Sequence, residues 1–182
     1  MHPFRSVLAI GVAGFLSACF MSETPFIADS EAVRLSDEAT ILVCSDADDC
    51  SDTVPNPGDG GYLMMPPPGE DDPPMPVKFT PLMETALGPV WLAEIDMTEE
   101  DEAAYVVGVV RRAPEYDAKG LLAYDIELPW CDDVSEEDAA AYGIEKTDKY
   151  TCSLPEETSI ADYLRETHLE AFGDPDWWAD DD

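Results

Sequence analysis

Apolar residues along the chain fall into blocks of three kinds. Residues 7–16, VLAIGVAGFL, form an unbroken apolar run. Residues 90–97 (VWLAEIDM), 103–112 (AAYVVGVVRR) and 121–128 (LLAYDIEL) are short and rich in β-branched or aromatic residues, with polar stretches between them. That pattern predicts three strands of an antiparallel meander. Residues 158–172, TSIADYLRETHLEAF, instead put Ile160, Tyr163, Leu164, His168, Ala171 and Phe172 on one helical face, and Gly173 is a natural stop.

Smaller signals fill the gaps. Ser135 can cap a short helix, EEDAAAY, that ends at Gly143, and residues 149–153 (KYTCS) read as a further strand. Thr98 followed by Glu99, Glu100 and Asp101 resembles a helix start, so residues 98–112 have a competing helical reading. Val106, Val107, Gly108, Val109 and Val110 argue against the helix on propensity, and the strand is favoured.

Residues 19–76 show little of either period. The stretches NPGDGG (56–61) and PPPGEDDPPMP (66–76) combine proline, glycine and acid, and bury too little apolar surface to offset the entropy of ordering. The segment reads as a mostly disordered acidic tether with a reach of roughly 40 Å. Within it, residues 31–44 (EAVRLSDEATILVC) hold enough apolar side chains for one short helix or strand. The expected domain spans residues 77–173. Its fold class is α+β, a small antiparallel sheet of about three or four strands packed with one main C-terminal helix. Residues 174–182 form an acidic tail containing tryptophan.

The apolar run at 7–16 follows His2 and Arg5 and precedes Ser17 and Ala18, the layout of a secretory signal peptide over residues 1–18. A spanning helix needs about 20 apolar residues to cross roughly 30 Å of hydrocarbon, and Ser22, Glu23 and Pro25 end this one too soon. Leu16-Ser17-Ala18-Cys19 resembles the lipobox of bacterial lipoproteins. The resemblance implies cleavage before Cys19, diacylation of its sulfur through glycerol, and acylation of the new amino terminus. Phe20 follows where the best-known inner-membrane retention signal of that family has Asp, which implies the outer membrane, facing the periplasm. The motif covers the export signal alone. The plainer alternative is a signal cut after Ala18, leaving Cys19 as an unpaired fifth cysteine.

Charge narrows the partners. Nine Lys and Arg face 41 Asp and Glu, a net −32, and loss of Arg5 with the signal deepens this by one. Such a chain cannot displace counterions from nucleic acid and is repelled by an anionic lipid surface. Attachment must come from the acyl chains, of which two or more anchor stably. The expected partners are therefore the membrane and an envelope protein, with no nucleic acid.

Cys44, Cys50, Cys131 and Cys152 form an even set in an oxidising compartment. Four cysteines allow three pairings. Cys44 with Cys50 and Cys131 with Cys152 are favoured because each pair lies within its own segment.

Candidate chemistry is sparse, and no catalytic residue or cofactor is assigned. With His2 lost, His168 is the last histidine, on an apolar helix face, and no serine stands in G-x-S-x-G. Zinc finds one histidine and paired sulfurs. Residues 44–60 gather Asp46, Asp48, Asp49, Asp52 and Asp59. Against the D-x-[DN]-x-[DN]-G calcium loop, however, Cys50 and Ser51 occupy a ligand position and the glycine. Asp46, Asp48 and Asp52 are thus weak candidates in what reads as a solvated loop. Glu94, Asp96, Asp125 and Glu127 lie on expected strands and offer pairs for carboxylate hydrolysis, but acids are so abundant that a solvated face is expected. Adjacent Trp177 and Trp178 either fold back on the domain or engage a partner. The resulting expectation is a lipid-anchored envelope protein acting by binding or structure. A divalent-cation module and a carboxylate hydrolase stand as alternatives.

Overall fold

The valine block at 105–110 is the spine of the molecule. In the computed structural model, which describes residues 20–46, 49–58, 60–99, 102–113, 120–156 and 158–179, ten strands are present in chain order. They are β1 (Phe20–Ser22), β2 (Ile41–Asp46), β3 (Asp49–Pro55), β4 (Tyr62–Met64), β5 (Met75–Thr85), β6 (Gly88–Asp96), β7 (Tyr105–Arg112), β8 (Ala123–Glu127), β9 (Glu145–Lys146) and β10 (Cys152–Ser153). Three short helices follow β8: α1 (Glu136–Tyr142), α2 (Ile160–Thr167) and α3 (Leu169–Phe172). The signal segment and Cys19 lie outside the described residues.

The sheet order is β6-β5-β4-β3-β2-β8-β7, and a further β6–β7 pairing closes it into a barrel. All barrel neighbours are antiparallel except β2 and β8, which run parallel. Strand β7 also pairs with β1 at its N-terminal end, and β1, β10 and β9 extend outward from it. This corrects the expected α+β fold of a small sheet on one main helix: the architecture is a closed mixed β-barrel with a three-stranded extension, and its helices are short.

The barrel has two faces of apolar packing, and β7 explains why. Its run is buried on both sides, as continuous apolar strands are: Val106 and Val110 point into the barrel, while Val107 and Val109 join an outer layer. The interior gathers Ile41, Val43, Tyr62, Phe79, Ile95 and Tyr124, all buried. Gly108 sits where a Cβ would meet Ile126 Cδ1 at 3.2 Å and Ala93 Cβ at 3.4 Å, so glycine allows the inner walls to close. The outer layer packs Phe20, Leu92, Tyr163, Phe172 and Trp178 against β5, β6 and β7. The competing helix at 98–112 is not formed.

The second correction concerns the tether. Residues 41–44 are buried and residues 42–44 pair with β8, so the segment read as mostly disordered supplies β2, β3 and β4, with β1 ahead of them and the start of β5 behind. NPGDGG is the turn between β3 and β4, with Gly60 at φ 78°, a conformation suited to glycine. The PPPGEDDPP stretch is the exposed connection into β5. That strand carries Pro81 at a register shift, the place where a central strand tolerates proline.

Where the expectations were local, they match closely. The blocks at 90–97, 103–112 and 121–128 are β6, β7 and β8, and Ser135 Oγ accepts from the Asp138 N–H at the start of α1, which ends on Gly143 at φ 70°. The helix read over 158–172 is broken at His168 (φ −115°, ψ 7°) into α2 and α3. Both disulfides form with the favoured pairing, Cys44–Cys50 and Cys131–Cys152. The first joins directly opposed residues of the β2–β3 hairpin, and the second ties the turn after β8 to β10.

Candidate binding groove

An open groove of about 650 Å³ lies where the extension meets the β6–β7 loop. Chain positions far apart in sequence build it. Met21 and Ser22 belong to β1 with Glu23 just beyond it, Thr151 and Ser153 lie at and beside β10, and Met97, Glu99 and residues 102–104 come from the connection between β6 and β7. That loop is held by the Met97 N–H donating to Ala104 O (2.8 Å) and by Glu99 and Glu102 exchanging backbone hydrogen bonds. Thr98 N–H also donates to Asp96 Oδ1 at 2.9 Å.

The lining is apolar and acidic. Met21, Met97, Ala103 and Ala104 supply carbon and sulfur surface, and Glu23, Glu99 and Glu102 are exposed carboxylates. Thr151 and Ser153 add hydroxyls, and among the described residues no Lys, Arg or His lines the groove. Ser22 is buried and its Oγ donates to Thr24 O (2.7 Å) and Leu154 O (3.3 Å), which leaves it engaged in holding the loop. The arrangement suits an extended cationic segment with apolar side chains, because the carboxylates meet its charge and the methionines adapt to its shape.

The residues singled out from sequence lie elsewhere. Glu94 is the clearest departure: the expected solvated face is instead 2% exposed. Its Oε2 accepts from the N–H groups of Phe26 and Ile27, the latter at 2.7 Å, and Oε1 lies 3.5 Å from Lys78 Nζ. Lys78 also reaches Asp29 at 2.9 Å and donates to Ile27 O at 3.4 Å. Burial works against the ammonium, but the Asp29 hydrogen bond and the Glu94 charge outweigh it and hold the Lys78 pKa above its ordinary value. This cluster clamps residues 26–29 to the outer face of β5 and β6.

Asp125 pairs with Arg111 Nε at 3.0 Å. Glu94 stands opposite Val107 and Asp125 opposite Arg111 on the shared strand β7, about 13 Å apart along it at the usual rise per residue. The two carboxylates therefore do not share a site. Asp96 caps the loop described above, and Glu127 stands opposite Val109.

His168 is 9% exposed, with Nδ1 2.6 Å from Thr167 Oγ1 and its ring packed between Tyr163 and Phe172. Burial outweighs the nearby Asp133 and Asp138 carboxylates and holds its pKa below the ordinary value. Burial also pushes the Tyr163 phenol up to about 12.

The aspartate-rich stretch is a tight hairpin. Asp46 stands opposite Asp49, whose Oδ2 accepts from Ser45 Oγ at 2.9 Å, and Asp52 stands opposite Leu42 further along the ladder. Asp48 and Asp59 lie outside the described residues. Among the described residues no three His, Cys, Asp or Glu side chains gather to hold a metal ion.

Trp177 and Trp178 fold back on the domain. Trp178 is buried, its indole N–H donates to Phe172 O at 3.1 Å, and the Arg111 guanidinium lies 4.8 Å from its ring centre. Trp177 is half-buried against Phe172, with ring centres 4.8 Å apart.

The groove escaped sequence reasoning because its pieces are assembled by the barrel. Its one local signal, the acidic run at 98–102, resembled a helix start. No protein-family model, curated protein or solved structure matches the chain.

Proposed function

We propose that this chain is a lipid-anchored protein of the bacterial envelope, held by acyl groups on Cys19, whose barrel binds a basic segment of a partner protein in the groove at β1 and the β6–β7 loop. One juxtaposition carries the reading: a lipobox cysteine stands one residue ahead of a domain closed by two disulfides. Disulfides persist in oxidising compartments, and acyl chains supply the membrane hold that a chain of this charge lacks. Phe20 after the cysteine favours the outer membrane, with the domain in the periplasm.

The groove carries the second half of the reading, since its apolar surface is bordered by acids and, among the described residues, by no base. Binding fits better than hydrolysis because Glu94 and Asp125 are committed to Lys78 and Arg111.

Mass spectrometry of the mature amino terminus should find it at Cys19 with acyl mass attached; an unmodified thiol there overturns the anchor. For the groove, the probe is an extended peptide alternating Lys and Leu, titrated calorimetrically. Reversing Glu99→Lys and Glu102→Lys should weaken it about tenfold, whereas the exposed α1 pair Glu136→Lys and Glu137→Lys should change it less than about twofold. Equal losses for the two pairs would mean that the peptide senses net charge alone, and the groove assignment would fail.

A further inference from the structure

Four large apolar side chains are exposed among the described residues, and two of them flank the same disulfide along the chain: Trp130 (54%) directly before Cys131, and Tyr150 (44%) two residues before Cys152. Strands β1 and β10 run parallel with Phe20 beside Cys152, so the chain enters β1 from the side on which Tyr150 and Thr151 lead into β10. Cys152 is bonded to Cys131, with Cα atoms 5.5 Å apart, and Trp130 immediately precedes Cys131. Phe20, Tyr150 and Trp130 are thus all grouped around a single disulfide.

Lys149 completes the set. Its Nζ lies 4.6 Å from the Tyr150 ring centre, donates to the Tyr150 hydroxyl at 3.1 Å, and approaches Asp132 at 3.8 Å. Phe20 itself is wholly buried in a strand, so no slack chain separates the residue after Cys19 from the folded body. One peptide unit spans about 3.8 Å.

We propose that Trp130, Tyr150 and Lys149 form a membrane-facing patch that seats the barrel directly on the headgroup layer of a zwitterionic bilayer. The proposal rests on the lipid-anchor reading given above. Amphipathic aromatic rings settle at the headgroup level, and a lysine can extend its ammonium toward phosphate while its stem lies on apolar surface. The acids beside the patch, Asp132, Asp133 and Asp148, and the charge of the whole chain select a zwitterionic surface over an anionic one. The barrel is thereby held against the leaflet in one orientation.

The test reconstitutes the full acylated chain in phosphatidylcholine vesicles bearing bromine high on the acyl chains and reads tryptophan emission. Trp130→Phe should reduce the bromine-dependent quenching at least about threefold, because aromatic rings at this depth lie next to the bromines, while Trp177→Phe should leave most of it. Adding anionic lipid should weaken the quenching, and equal quenching in anionic vesicles overturns the zwitterionic assignment. If mass spectrometry of the same sample shows acylated Cys19 and quenching is absent or indifferent to Trp130→Phe, the patch is wrong and the anchor stands. If the acyl mass is absent, both fall together.

Discussion

Replacing Glu94 with alanine is expected to destabilise the fold by about 3–5 kcal/mol, the usual consequence of removing one partner of a buried ion pair. The carboxylate is 2% exposed and accepts two backbone N–H groups from residues 26 and 27, which then have no acceptor. Lys78, whose side chain is 17% exposed, is left with Asp29 as its charged partner, and that carboxylate is 72% exposed. Urea unfolding should show a lower midpoint with an unchanged slope, since the surface exposed on unfolding is nearly the same. Glu94→Gln retains an acceptor oxygen and should fall between wild type and alanine. An alanine variant within about 1 kcal/mol of wild type would show that residues 26–29 are held by apolar packing and not by the clamp.

Trp178→Ala should be comparably severe, about 3–5 kcal/mol, as for other buried large aromatics. The substitution empties the space beneath the last turn, deletes the bond to Phe172 O, and strips the Arg111 guanidinium of the ring beside it. Asp125 still pairs with Arg111, so the arginine is not left without a partner. Trp177→Ala, at a half-buried position, should cost clearly less, and limited proteolysis should cut the C-terminal segment of the Trp178 variant first. Equal stability of the two variants would remove the tail from the core.

These two positions also mark the limit of what the chain alone discloses. Residues 105–110 declare a strand because Tyr105 and four valines favour it, and the cysteine pairs are recoverable because each closes a short loop. The barrel is not legible in the same way. Its closure depends on β2 lying beside β8, a contact between residues 42 and 123, and no local pattern announces it. Strand β4 is three residues long and β5 contains Pro76 and Pro81, so both lack the alternation that identifies a strand. Pro- and Gly-rich acidic stretches carry the same composition whether they are turns between strands or disordered chain, which is why the tether reading failed. Glu94 and the groove acids are hidden by number: among 41 carboxylates, only tertiary packing distinguishes buried Glu94 from those exposed at the groove. Local chemistry was readable, and long-range assembly was not.

A row of rings runs from Phe20 through Tyr163, His168 and Phe172 to Trp177 and Trp178, each within 6 Å of the next. It joins the first strand to the last turn. A chain that emerges from its amino end therefore presents Phe20 long before the residues that cover it exist, and Ser22 meets its acceptor on Leu154 across 132 positions. Contacts of that separation are slow to form. Completion of this outer layer waits for the C-terminal turn, and a chain cut short by even that turn would keep an uncapped seam along Phe172.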